Sequence, residues 1–327
     1  MTIKEKIIAA FEKSSELTAK ELTNNLGVSK QMIHLVLREL VSSQYLEKLG
    51  RAPKTIYRKS KAIPLKSNDI PLAIKDAEKE FLASNFLMIS DMGNLLEGIE
   101  GFQLWCEKRN EPVLKTLQEF IKTKQKYQSF YNSQGIIDGF HKLKTTYGEK
   151  TFLDEIYYLD FYAIERFGKT RLGTLLHYAK QGQNKFLMNM MMQEIKAKIF
   201  AFINQHEIDA VGFVPPTIRR EIQIMKFIQE NLNLNLPILE IKKISGIIPI
   251  PQKSLSKLDE RIKNAENTFA VTDQRKFNRV LLIDDAVGSG STLNQIAEKI
   301  KNKGVAKTVL GLAIVGSFKG FDVITDI

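Results

Sequence analysis

The chain has 327 residues, 43% hydrophobic and 26% charged, an ordinary globular composition long enough for about two domains. This excludes a disordered, collagen-like or low-complexity polypeptide. Its 48 Lys and Arg against 37 Asp and Glu leave +11, which favours a polyanionic partner: nucleic acid, a phosphorylated ligand or an anionic membrane. The single cysteine, Cys106, permits no internal disulfide and no cysteine zinc ribbon, so no zinc is expected. Its setting, FQLWCEK, reads as a helix face with an inert buried thiol. No charged-then-apolar leader opens the chain, and no uncharged run reaches the roughly 18 apolar residues of a membrane span. A cytoplasmic protein with no membrane partner is expected.

Residues 3–12 place Ile3, Ile7, Ile8 and Phe11 on one stripe at helical spacing. Thr18 can cap a second helix, with Glu21 at the capping-box position, and Gly27 suits the left-handed turn that ends it. Ser29 can cap a third helix, KQMIHLVLRELVSS. Residues 45–49 and 55–59 then read as two strands around a basic turn. This order resembles the winged helix-turn-helix family over most of residues 1–60. The same sixty residues hold eleven Lys and Arg against six Glu, a net +5. The resemblance implies that the third helix enters a major groove with Lys30, Gln31, His34 and Arg38 outward. The wing residues Arg51, Lys54 and Arg58 would meet phosphates or a minor groove. DNA is the expected partner, and paired half-sites make a homo-oligomer the expected state.

Residues 61–75, with Pro64 and Pro71, read as an extended linker. Residues 76–150 look mostly helical and form an expected spacer or dimerisation region, with Trp105, Phe120, Tyr127 and Phe130 in its core. No catalytic pattern occurs there.

From 151 the pattern changes. Residues 156–164 are aromatic and β-branched, a strand signature. Helices are expected at 170–182 and 185–204, the second with Met188, Met190, Met191 and Met192 as adaptable core packing. An apolar strand at 210–214 leads into Pro215-Pro216-Thr217-Ile218-Arg219-Arg220. A helix at 220–231 and a strand at 236–241 follow. The segment 253–264 is charged and exposed in character. A strand at 279–283, RVLLI, with an apolar core runs into DDAVGSGST, then a helix to 303 and a last strand at 308–315. Strands joined by helical crossovers imply a parallel sheet with ligands at its carboxyl edge.

Residues 284–292 carry the densest chemistry. A strand end delivers two carboxylates, followed by a loop of glycines and hydroxyls and then a helix start. Loop amides and a helix N-terminus cradle a phosphate. Ser289, Ser291 and Thr292 add hydroxyl donors, and Gly288 and Gly290 allow close backbone approach. Asp284 and Asp285 suit a sugar's vicinal hydroxyls and can help hold Mg²⁺, mostly through water. A phosphorylated ribose satisfies all of these together. The lysine of a GxxxxGK[ST] loop is missing, so this is not a Walker loop.

VLLIDDAVGSGSTL resembles the phosphoribosyl-pyrophosphate (PRPP) motif of type I phosphoribosyltransferases. The resemblance implies that Asp284 and Asp285 bind the ribose hydroxyls, and that Ala286, Val287, Gly288, Ser289, Gly290, Ser291 and Thr292 bind the 5′-phosphate. Upstream, Gln252, Leu255, Arg261, Asn264 and Phe269 resemble a pattern of the ComF (competence protein F) branch. Pro215, Pro216 and Thr217 with Arg219 and Arg220 resemble that branch's pyrophosphate loop, and TLLHYAKQG its helix ending in Lys-Tyr-x-Gly. Residues 245–268, including Gln252, Lys253, Arg261 and Asn264, are the expected mobile cover. The branch's usual zinc ribbon is absent, and the basic stretch after the first loop is thinner.

The expected fold class is α/β: a type I phosphoribosyltransferase-like parallel sheet with helices on both faces, plus an N-terminal winged helix and a helical middle region. Such a domain, if active, would use Mg²⁺ and PRPP. A nucleophile would attack C1′ and pyrophosphate would leave through an oxocarbenium-like transition state. Three functions compete. A ligand-responsive DNA-binding regulator resembles in layout the purine repressor of Gram-positive bacteria. A nucleotide-modifying effector resembles in layout the accessory effectors of retron antiphage defence. A DNA-uptake accessory protein follows from the ComF resemblance.

Overall fold

The structure, a computed structural model, describes residues 3–42, 45–50, 55–59, 74–216, 218, 220–244 and 269–317. The chain divides into two compact units, Met1–Ile74 and Lys75–Ile327.

In the first unit, α1 (Ile3–Lys13) leads to β1 (Glu16–Leu17), α2 (Ala19–Leu26), α3 (Lys30–Ser42), β2 (Leu46–Leu49) and β3 (Ile56–Lys59). The three strands form an antiparallel sheet in the order β1-β3-β2. Helical spacing explains the core: Ile7 and Phe11 of α1 and Ile33, Leu37 and Leu40 of α3 close over Leu22, Leu46 and Tyr57. Entry into α2 is a capping box. The Thr18 hydroxyl accepts from the Glu21 amide, and the Glu21 carboxylate accepts from the Thr18 amide at 2.7 Å. That bond holds the Glu21 carboxyl below its ordinary range. Gly27 ends the helix at φ 62. Thr18→Ala is expected to cost this unit about 1 kcal/mol, read as a shift in its denaturant midpoint. An unchanged midpoint would show that the cap carries no stability here.

The second unit opens with α4 (Asp76–Asn85), the hairpin β4 (Leu87–Ile89) and β5 (Leu95–Glu97), α5 (Gly98–Glu107) and α6 (Val113–Gln128). Then come β6 (Ile137–Asp138), α7 (Phe140–Tyr147), β7 (Glu155–Phe161), β8 (Ala163–Ile164) and β9 (Gly168–Lys169). The helices α8 (Arg171–Gln181) and α9 (Lys185–Gln205) precede β10 (Ala210–Phe213), α10 (Ile224–Leu232), β11 (Ile241–Lys243) and β12 (Phe269–Val271). The described chain ends with β13 (Phe277–Val287), α11 (Ser291–Asn302) and β14 (Ala306–Gly316).

A five-stranded sheet in the order β10-β13-β14-β7-β6 forms the centre. The first three pairings are parallel, and β6 joins antiparallel at the edge. Val280, Leu281, Leu282 and Ile283 are all fully buried. Helices cover both faces, so an apolar run replaces the alternation of a one-sided strand. Leu281, Ile283, Leu310, Leu312 and Ile314 pack with α8, α9 and α10. On the other face Gly311 leaves room for Leu293 of α11 and for Ile156.

Several expectations change. Residues 76–150 are mostly helical as expected, but they pack onto the sheet domain: β6 extends the central sheet, and Leu87 and Ile136 join its core. The strand expected at 156–164 breaks at Tyr162, whose carbonyl accepts from the Thr170 amide at 3.0 Å. The helix expected from 220 begins at Ile224. The strand expected at 236–241 reduces to one parallel bridge, Val211 with Ile238, and β11 pairs instead with β12. Pro237 has no amide to donate to a ladder. Trp105, Phe120 and Tyr127 are buried as expected, but Phe130 is 41% exposed, lying past the last turn of α6 with its ring edge-on to Phe161. Met188, Met191 and Met192 are core. Cys106 is buried, and desolvation, with Glu111 adding to it, pushes its thiol up to about 11. That leaves little thiolate near neutrality.

The start of α8 is jammed against the end of β7. The Thr170 hydroxyl donates to the Phe161 carbonyl and accepts from the Gly173 amide. A Cβ on Gly173 would lie 2.1 Å from the Tyr162 carbonyl oxygen. Gly173→Ala is therefore expected to destabilise this unit by about 3 kcal/mol. Chemical denaturation would read it, and a change under about 0.5 kcal/mol would show that the backbone yields there.

Candidate functional site

The parallel strands β10, β13, β14 and β7 deliver their carboxyl ends to one edge of the sheet. At that edge β13 carries Asp284 and Asp285, with Asp284 level with Ala313 of β14. Strand alternation sends the two carboxylates to opposite faces. Asp285 shares the face of Ile283, where α8 lies, and it is buried against the Lys180 ammonium of α8. Asp284, half-buried, accepts the Asp285 amide at 2.8 Å.

Past Val287 the chain leaves the strand and turns into α11. Gly290 is the N-cap at φ 76, a left-handed conformation that glycine adopts without strain. The Ser289 hydroxyl reaches the Ser291 hydroxyl at 3.3 Å and accepts from the Ser291 amide at 3.4 Å. Gly288, Ser289 and Thr292 are half-buried, as is Ala286. The loop therefore sets amides and hydroxyls ahead of a twelve-residue helix, whose N-terminus favours an anion. Beside residues 287–290 lies a small open cleft bounded by Lys142 and Thr146 of α7, Tyr158 and Ser317. Lys142 donates to the Ser317 carbonyl. Burial, with Asp138 adding to it, pushes the Tyr158 hydroxyl up to about 12, so it stays protonated and able to donate.

A strap holds this loop from behind. The fully buried Asn294 accepts from the Phe152 and Leu153 amides at 2.8 and 3.2 Å, and donates to the Lys150 carbonyl at 2.9 Å. It fixes the first turns of α11 to the segment that enters β7.

The loop after β10 lies at the same edge, where the Val214 amide donates to the Ile283 carbonyl. Pro215 is half-buried and Pro216 exposed. Arg220 donates to the Gln181 side chain at 2.9 Å, and the Ile222 amide to the Gln183 side chain at 2.7 Å. Thr217 and Arg219 lie outside the described residues, as do Gln252, Lys253, Arg261 and Asn264. The end of α8 thus touches the loop after β10 through Gln181 and the end of β13 through Lys180. Lys180 was not singled out from the sequence; the only signal was its place in TLLHYAKQG. Asn294 and Lys142 belong to no motif.

No cluster of three or more His, Cys, Asp or Glu that could hold a metal occurs among the described residues. Asp284 and Asp285 could help hold Mg²⁺ only together with water and the ligand's own oxygens.

In the first unit, Lys30, Gln31 and Arg38 are exposed along α3 and His34 is half-buried. Met32 and Leu35 are exposed beside them. Arg58 is engaged within its own unit, 3.0 Å from the buried Glu47 carboxylate and 4.0 Å from Glu16. Arg51 and Lys54 lie outside the described residues.

No protein-family model and no curated protein matches this sequence. Among solved structures, the chain is similar to a hypoxanthine phosphoribosyltransferase from Staphylococcus aureus at 15% identity and a TM-score of 0.26, over 42% of this chain and 67% of that one. It is also similar to a purine phosphoribosyltransferase from Pyrococcus horikoshii at 16% identity and a TM-score of 0.23, over 41% of this chain and 93% of that one. Similarity this shallow adds no weight to the site's own residues. No helix among the described residues is long and apolar enough to cross a membrane.

Proposed function

We propose that the second unit binds PRPP or a closely related phosphosugar, and that the first unit is a winged helix that binds nucleic acid. The protein is then a ligand-responsive DNA-binding regulator. One observation carries the ligand assignment: paired acids at the carboxyl edge of a parallel sheet run straight into a glycine and hydroxyl loop that caps α11. The loop offers amide and hydroxyl donors to a 5′-phosphate, and the acids offer acceptors to ribose hydroxyls. Asp284 and Asp285 would help hold Mg²⁺ together with water and the ligand's own oxygens, and the ion would neutralise diphosphate charge.

The exposed Lys30, Gln31 and Arg38 on α3, within a unit of net positive charge, support a polyanion there. Arg58, on β3, is paired with Glu47. Regulation requires that the ligand bind one DNA-binding state better than the other.

Calorimetry with Mg²⁺-PRPP, with and without duplex DNA, tests both halves. The expected result is PRPP binding and a DNA affinity that changes when PRPP is present. Absence of PRPP binding would overturn the ligand assignment. Pyrophosphate release with a nucleotide acceptor would make the protein an effector enzyme instead, and single-strand binding indifferent to PRPP would favour DNA uptake.

A further inference from the structure

The end of α8 and the residues just past it meet the end of β13 and the loop after β10. Lys180 pairs with Asp285, Gln181 holds Arg220, and Gln183 holds the Ile222 amide. In this state an ammonium covers the carboxylate that a ribose hydroxyl would need as acceptor. Asp285 is buried and Lys180 retains only 24% side-chain exposure. Their pairing is therefore a held contact, not a loose surface one. A ribose hydroxyl that takes Asp285 Oδ2 must compete with Lys180 for that oxygen, and displacing Lys180 leaves a half-buried ammonium that needs a new anion. A diphosphate on the anomeric carbon brings that anion into the same edge, next to the post-β10 loop that α8 already holds. Lysine suits such an exchange, being a compact charge on a flexible stem with three donors.

We infer that Lys180 is an exchanging counter-ion: it pairs with Asp285 in the unliganded protein and transfers to the anomeric diphosphate when the phosphosugar binds. This rests on the phosphosugar assignment above. It makes the site selective for the diphosphorylated sugar, because ribose 5-phosphate would displace Lys180 without offering it a new partner.

The test is calorimetry of the full chain with PRPP, pyrophosphate and ribose 5-phosphate, using wild type and Lys180→Met. The variant should bind PRPP and pyrophosphate about tenfold to a hundredfold more weakly, the scale of one charge-assisted contact. Its affinity for ribose 5-phosphate should hold or rise. Equal losses for all three ligands, or no loss, would overturn the inference. Wild type binding ribose 5-phosphate as tightly as PRPP would also overturn it while leaving the phosphosugar assignment standing. Wild type binding none of the three would end both. A measurement on unmutated protein guards against misfolding of the variant. Amine labelling read by mass spectrometry should find Lys180 slow without ligand, faster with ribose 5-phosphate and protected with PRPP. Equal rates in all three conditions would sink the exchange.

Discussion

Replacing both Asp284 and Asp285 with asparagine is expected to weaken Mg²⁺-PRPP binding by at least about a hundredfold. Each carboxylate can accept a charge-assisted bond from a ribose hydroxyl, worth roughly 1.5–3 kcal/mol, and two such losses exceed two decades of affinity. Asparagine preserves shape, so the loss would not arise from a cavity. The single variants should differ. Asp285→Asn also removes the counter-ion of Lys180, whereas Asp284→Asn replaces the acceptor of the Asp285 amide with a neutral one. Calorimetry reads the affinity, and a thermal melt of each variant separates binding from folding. A double variant that binds like wild type would show that these acids do not hold the sugar.

The largest stability effect outside the core should come from Asn294→Ala. One side chain satisfies two amides and one carbonyl in a fully buried place. Truncation strands three backbone groups, at roughly 1–3 kcal/mol each before relaxation. An overall loss of about 3–5 kcal/mol is expected for the second unit. Urea denaturation should read it as a lower midpoint at unchanged slope. Because the same strap holds the first turns of α11, phosphate-loop ligands should bind more weakly to whatever fraction stays folded. A loss under about 1 kcal/mol would mean that water replaces the strap.

Much of the architecture could be read from local pattern. A helical stripe marked α1, the capping box marked α2, and the apolar run at 280–283 marked a buried strand. These signals lie within one or two turns of chain, where spacing and capping act. The hidden parts were non-local. β6 has two residues, too few for a period, and it becomes a strand only because β7 offers an edge. The strand expected at 236–241 had the composition for pairing, but β12 captured β11 in an antiparallel ribbon. Phe130 carries a core composition, yet its place beyond the end of α6 leaves it half in solvent.

The site divides in the same way. That acids precede a glycine and hydroxyl loop and then a helix is a matter of consecutive residues, so the order of groups at 284–292 could be read directly. That Asp285 faces α8 while Asp284 faces away follows from the alternation of an extended strand, and it acquires meaning only once α8 is packed on one side. Lys180 is 105 positions from Asp285, and Asn294 is 142 from Phe152. No local spacing encodes such neighbours. They arise because burying both faces of the sheet forces helices distant in sequence against the same strand ends. The chain's order thus names the chemistry of the loop, while packing selects which charges stand beside it.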